Sequence, residues 1–199
     1  SGDFSGDITG PGTVEKDGSD SLTLSGINDY SGGTLVNEGE LIVSTDSRGG
    51  GNVTLGDDTI LTFLQTEDDE FRGDITGTGK VVKDGSGSVT LEKFGVDNDW
   101  SGGTEVKDGT LISKGIEGIL INSDVSVSSS TAVFEFELDD DEFYGGVISG
   151  AGSFTKSGLG ELELEGLNLH TGGTAITEGS LLITTVSNLP ASGTVSISE

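Results

Sequence analysis

Short apolar segments, most of them alternating with polar positions, recur along the whole chain: Leu22-Thr23-Leu24, Leu41-Ile42-Val43, Val53-Thr54-Leu55, Val89-Thr90-Leu91, Val125-Ser126-Val127 and Leu162-Glu163-Leu164. A side-chain period of two buries one face of a strand and wets the other, so these segments predict β-strands of roughly four to six residues. Glycines stand between them at regular places, 35 in all against two prolines, and punctuate the strands with turns. No segment carries a helical period, and no apolar run approaches the ~18 residues of a membrane-crossing helix. The pattern predicts an all-β chain.

These segments belong to a longer pattern that occurs three times. Its first copy, from Leu24 to Val43, contains Asn28, Tyr30, Gly32-Gly33-Thr34, Val36, Gly39 and Leu41. The second, from Leu91 to Ser113, contains Asn98, Trp100, Gly102-Gly103-Thr104, Val106, Gly109 and Leu111, with three extra residues within Lys93 to Asn98. The third, from Leu164 to Ile183, contains Asn168, His170, Gly172-Gly173-Thr174, Ile176, Gly179 and Leu181. Upstream of each lies a leader, from Phe4 to Gly12, Phe71 to Gly79 and Tyr144 to Gly152, which feeds a short strand ending at Lys16, Lys83 or Lys156. The chain therefore divides into tandem units 1–70, 71–142 and 143–199, the third cut short. A fixed period of this size is the mark of a stacked repeat architecture.

Two architectures compete. Seventy residues is small for a β-sandwich without disulfides. The Asp-Gly pairs at Asp17-Gly18, Asp84-Gly85 and Asp108-Gly109 fall inside the units, so hairpins do not separate them. A parallel β-helix accounts for the pattern better. Coils of ~20 to 25 residues, each with three short strands, would make about three coils per unit, and equivalent side chains would stack along the axis with a rise of ~4.8 Å per coil. Nine coils predict a rod on the order of 40 Å long.

Composition narrows the function. Cysteine is absent, so neither disulfides nor thiolate metal sites hold the fold. Methionine is absent and the chain opens on Ser1, which is expected of a processed or excised piece of a longer protein. The net charge of −26, from 35 acidic and nine basic residues, argues against nucleic acid and against anionic membranes as partners.

The combined pattern, from Lys-x-Gly through Asn-x-Tyr-x-Gly-Gly-Thr to Gly-x-Leu-x-Val, resembles the passenger-associated transport repeat, also called the autotransporter-associated β-strand repeat. Residues 16–43, 83–113 and 156–183 carry it, and Leu189 to Val195 resembles the linker that follows such repeats. The resemblance implies a right-handed parallel β-helix in the secreted passenger of a Gram-negative autotransporter, exposed at the bacterial surface, where such repeats build the stalk of an adhesin and aid secretion.

Candidate sites stand out against this background. The acidic runs Glu67, Asp68, Asp69, Glu70 and Asp139, Asp140, Asp141, Glu142 precede Phe71 and Phe143 and offer hard oxygens to Ca²⁺. They lack the spacing of known calcium loops, and solvated loop charge is the simpler reading. No other cofactor is expected. Arg72-Gly73-Asp74 spells an integrin-recognition tripeptide, yet the same slot reads Ser5-Gly6-Asp7 and Gly145-Gly146-Val147, so repeat consensus is the economical account. Asn28, Asn98 and Asn168 suit inward turns where an amide satisfies backbone groups, with Tyr30, Trp100 and His170 in the aromatic slot two residues on. The pairs Gly32-Gly33, Gly102-Gly103 and Gly172-Gly173 need backbone freedom for a corner and do not form a phosphate loop.

A catalytic site would break the repeat in one place. The breaks at Thr45–Gly51, Lys93–Asn98 and Ser113–Asn122 gather no convergent polar groups, so no enzyme is expected. Two readings remain. The leading one is a structural stalk segment of an adhesin-like passenger, stacked on further coils of its parent chain. The alternative is a self-assembling subunit of an extracellular filament that joins identical subunits head to tail, although Ser198, Glu199 and residues 1–3 would bridge the junction with about ten residues, one strand and a turn, fewer than separate Leu55 from Phe71. Contact with a host surface or a glycan along a flat face is a third possibility.

Overall fold

In the computed structural model, which describes residues 1–45, 49, 51–92, 98–114, 123–185, 188–190 and 192–198, the chain winds as a parallel β-solenoid with three faces. The first face carries β1 (Gly2–Phe4), β4 (Ser21–Leu24), β7 (Glu40–Val43), β9 (Ile60–Leu64), β12 (Lys80–Asp84), β15 (Thr104–Val106), β17 (Val125–Val127), β20 (Ile148–Gly150) and β23 (Leu169–His170), paired in that order. The second carries β2 (Thr9–Gly10) and β5 (Asp29–Tyr30), then a sheet of β10 (Asp69–Phe71), β13 (Ser88–Glu92), β16 (Thr110–Lys114), β18 (Val133–Glu137), β21 (Ser153–Ser157), β24 (Thr174–Ile176) and β26 (Val195–Ile197). The third carries β3 (Val14–Lys16), β6 (Thr34–Val36), β8 (Val53–Leu55), β11 (Ile75–Gly77) and β14 (Asp99–Trp100), then a sheet of β19 (Glu142–Tyr144), β22 (Glu161–Leu164) and β25 (Ser180–Ile183). Chain order assigns the faces: β9, β10 and β11 succeed one another as β1, β2 and β3 do. Eight intervals of ~4.8 Å give the first face a length of ~38 Å. Among the described residues no helix is long and apolar enough to cross a membrane.

The repeat and the coil are out of step, which differs from the three coils per unit that the sequence suggests. From Phe4 the register runs to Leu24, Val43 and Phe63, so three coils take 59 residues. The unit takes 67, from Phe4 to Phe71. In the second unit the register runs from Phe71 to Leu91, Ser113 and Phe136, so three coils take 65 residues, while the unit runs 73 to Tyr144. The excess is eight residues both times, one strand and its turn. Each unit therefore begins one face further round: β1 lies on the first face, β10 on the second and β19 on the third. Equivalent positions of successive units point about 120° apart and do not stack on one another.

The core is a column of inward side chains that runs through these handovers without a break. Phe63 meets Phe71 edge-on at 5.2 Å between ring centroids, and the equivalent pair Phe136 and Tyr144 meets at 5.1 Å. Each pair joins the last strand of one unit to the first of the next, and such contacts contribute ~0.5–1.5 kcal/mol beyond area burial. Phe134 and Phe154 extend the aromatic column toward His170.

Candidate functional site

The repeat's polar consensus residues converge on the corner where one coil meets the next. Each leader lies one coil below the Asn and Gly-Gly segment of its own unit, so the two halves of the motif are stacked neighbours. Ile8 N–H donates to Asn28 Oδ1 at 2.8 Å, Ile75 N–H to Asn98 Oδ1 at 2.6 Å and Ile148 N–H to Asn168 Oδ1 at 2.8 Å. The Asn168 amide also donates to the carbonyls of Gly166 and Asn188, at 3.2 and 2.7 Å. A buried amide thus satisfies backbone groups that water does not reach.

The aromatic slot is inside the column and polar at its tip. Tyr30 Oη and Thr34 Oγ1 lie 2.7 Å apart, Trp100 Nε1 donates to Thr104 Oγ1 at 3.1 Å, and His170 Nε2 lies 2.9 Å from Thr174 Oγ1. Three different aromatic side chains use the threonine of Gly-Gly-Thr in one way, four residues on. Burial pushes the His170 pKa down against the opposing pull of the Ile148 and Gly173 backbone. The two glycines divide the corner's demands. A Cβ on Gly32, Gly102 or Gly172 would come within 2.4–2.5 Å of the backbone of Gly12, Gly79 or Gly152 in the coil below, and Gly33, Gly103 and Gly173 have φ of +85°, +82° and +101°.

Sequence reasoning missed the most unusual group, reading the recurrent lysines only as the ends of short strands. Lys16, Lys83 and Lys156 are buried. The Lys83 ammonium donates to the carbonyls of Asp84, Gly85 and, one coil on, Asp108 at 2.9, 2.7 and 3.1 Å. Lys16 does the same with Asp17, Gly18 and Glu38 at 3.2, 2.6 and 2.9 Å, and Lys156 reaches Ser157 and Gly158 at 2.6 and 2.8 Å. Desolvation lowers the pKa of Lys83 and Lys156. The available signal was the recurrent Lys-x-Gly at the strand end, since a glycine there turns its carbonyl inward: Gly18, Gly85 and Gly158 all have φ between +75° and +81°.

The acidic runs serve the stacking as well. Asp68 Oδ1 accepts Ser88 N–H at 2.9 Å, and Asp141 Oδ1 accepts Glu161 N–H at 2.8 Å. This pairing aligns Asp68 with Asp141 and Phe71 with Tyr144, one residue away from the alignment of Phe71 with Phe143 suggested by the runs themselves. Asp69 accepts from the Thr45 hydroxyl and from Glu70 N–H, the latter at 2.8 Å. Glu70 pairs with Arg72 at 2.6 Å and shares a hydrogen bond with Glu92, which lowers the Glu70 pKa and raises that of Glu92. Glu67, Asp139, Asp140 and Glu142 lie at the same turns and strand starts. Among the described residues no group of three acidic or imidazole side chains is arranged to hold a metal ion.

Arg72-Gly73-Asp74 does not present both of its charges. Asp74 is 4 % exposed and its N–H donates to Asn52 Oδ1 at 3.1 Å, while Arg72 lies outside. The three breaks in the repeat lie largely outside the described residues. A polar groove of about 400 Å³ along Thr13, Thr34, Asn52 and Thr54 holds no titratable group.

The lysine, asparagine, aromatic and Gly-Gly-Thr of each corner, repeated three times, lie within what the family comparison matches. The passenger-associated-transport-repeat family matches residues 14–43, 81–112 and 154–183. The chain carries three passenger-associated transport repeats. Among curated proteins, the repeats are similar to the adhesin BmaC autotransporter of Brucella suis biovar 1 (strain 1330), with 31 % identity over 199 residues, 87 % of this chain and 6 % of that protein. They are also similar to the uncharacterized protein YuaQ of Escherichia coli (strain K12), with 34 % identity over 139 residues, 68 % of this chain and 9 % of that protein. The chain thus spans less than a tenth of the length of either relative. No solved structure matches.

Proposed function

We propose that these repeats form a non-catalytic stalk segment of a secreted, cell-surface, adhesin-like autotransporter passenger, stacked at its ends on further coils of the same parent chain. The observation that carries this reading is where the polar consensus goes. Asn28, Asn98, Asn168, Lys16, Lys83 and the Gly-Gly-Thr corners all bind the backbone of the adjacent coil. Residues kept for chemistry or ligand binding would point outward or into a cavity. These point along the axis, where they make a stiff spacer of constant pitch. The similarity to an adhesin autotransporter supports the surface location and the stalk role.

The test is to delete three coils from the repeats within the full-length parent protein. A spacer brings the distal end ~14 Å closer to the cell and leaves ligand binding by the purified distal region unchanged. If the 199-residue chain, added free, competes with whole bacteria for host cells, the passive-spacer reading is wrong. Long regular fibres of the isolated chain under electron microscopy would favour a filament subunit instead.

A further inference from the structure

The first unit carries an acceptor tripeptide that the other two lack. Residues 52–54 read Asn-Val-Thr, the Asn-x-Ser/Thr pattern of N-linked glycosylation. Asn28, Asn37, Asn98, Asn122, Asn168 and Asn188 have no serine or threonine two residues on. Asn52 stands at the corner that leads into β8, in the place held by Asp124 before β17 and by Thr194 before β26. The backbone sets this alignment: the N–H groups of Thr34, Thr104 and Thr174 donate to the carbonyls of Asn52, Asp124 and Thr194 at 2.9, 2.9 and 2.8 Å. A hydroxyl two residues on is common to all three corners, as Thr54, Ser126 and Ser196, so the asparagine alone makes the tripeptide.

The Asn52 amide is held with its nitrogen free. Its Oδ1 accepts the Asp74 N–H at 3.1 Å, which fixes the amide and leaves Nδ2 without an acceptor among the described residues. Asn52 and Thr54 are exposed while Val53 and Leu55 are buried, so the amide and the hydroxyl share the outward face. Both line the polar groove of about 400 Å³, together with Thr13 and with Gly32 and Gly33, which add no side chain to fill it. In a chain of net charge −26, a groove without a titratable group suits a neutral, hydroxyl-rich occupant.

We propose that Asn52 is glycosylated on Nδ2, with the first sugar lying along this groove. The bond that forms joins Nδ2 to the anomeric carbon of a sugar activated as its pyrophosphate ester. The bond that breaks runs from that carbon to the pyrophosphate oxygen, which leaves with the electron pair while Nδ2 gives up a proton to a base of the transferase. The product keeps the amide carbonyl, so Oδ1 continues to accept the Asp74 N–H and the coils stack as before. The assignment goes beyond the stalk reading and takes only the secreted location from it.

The test isolates the parent protein from the cells that make it and reads the peptide bearing residues 52–54 by mass spectrometry with electron-transfer fragmentation. Most copies are expected to carry added sugar mass on Asn52. Two variants are expected to abolish it: Asn52→Asp, the residue type of the second unit, which keeps an acceptor for the Asp74 N–H, and Thr54→Val, which removes the hydroxyl from an exposed position. Asp124→Asn is expected to gain a second sugar, since Ser126 already stands two residues on. The inference is overturned if the parent's peptide is unmodified, if the sugar sits on the Thr54 hydroxyl, if it survives Thr54→Val, or if Asp124→Asn stays bare. Protease shaving of intact cells scores surface display separately: a chain that resists shaving because it is not displayed overturns the stalk reading, whereas a bare Asn52 overturns this one.

Discussion

Replacing Lys83 by methionine removes the ammonium that joins two coils and keeps most of the side-chain volume. The carbonyls of Asp84, Gly85 and Asp108 lose the ammonium donor, and of the three only Asp84 keeps another, the Gln65 N–H at 2.9 Å. Hydrogen bonds to a charged group contribute ~1.5–3 kcal/mol each. The methionine relieves a desolvation cost of several kcal/mol carried by the buried charge. The balance is a destabilisation of about 2–4 kcal/mol, because the half-buried Gly85 and Asp108 carbonyls lose a charged donor that methionine does not replace. Solenoids transmit stability mainly between neighbours, so the loss should appear first in the middle unit. Urea unfolding followed by circular dichroism measures the total, and hydrogen exchange of β12, β13 and β16 locates it. The control is Lys80→Met, which breaks a surface pair with Glu105 and should cost no more than ~1 kcal/mol. A Lys83→Met protein as stable as the parent, or more stable, would refute the view that the lysine holds the corner.

Other expectations follow from the same contacts. Burial lowers the His170 pKa, so the folded chain resists a proton that the unfolded chain takes up near pH ~6.5. Stability from this residue is complete above that pH and is lost as pH falls toward the folded-state value. His170→Tyr, the residue type of the first unit, should flatten that slope in unfolding midpoints measured from pH 8 to 5. Gly102→Ala forces a Cβ to within 2.4 Å of Gly79 O, which should cost about 1–3 kcal/mol and lower the melting temperature. Asn98→Ala leaves Ile75 N–H without its acceptor and should cost about 1–3 kcal/mol, read by urea unfolding and by faster exchange of the Ile75 amide.

Period and polarity alone exposed the solenoid, since few folds besides a stack of coils repeat apolar alternation and glycine at fixed intervals. They also singled out Asn28, Asn98, Asn168 and the paired glycines, because a residue that recurs every 70 positions stands out against a variable background. The partners of those residues were not legible. Ile8 and Asn28 are 20 residues apart, and only the coil length, which the sequence does not print, makes them neighbours. The same gap hid the one-face advance of each unit: a 67- or 73-residue repeat looks like three coils until the register shows that three coils need only 59 or 65. Lys83 went unrecognised because an isolated lysine at a turn is ordinarily solvated, and its burial depends on carbonyls supplied by Gly85 and Asp108.

The advance of each repeat by one face underlies the whole arrangement of corners, and electron–electron distance measurement tests it most directly. Leu35, Glu105 and Ala175 are equivalent outward positions in β6, β15 and β24, which lie on the third, first and second faces. Spin labels placed pairwise at positions 35 and 105, and at 105 and 175, should give distances of about 25–30 Å, from three and a third coils of axial rise and the width of the rod. Distances near ~14 Å for both pairs, the rise of three coils along one face, would contradict the one-face advance and with it the stacking of each leader beneath its own asparagine and glycine corner.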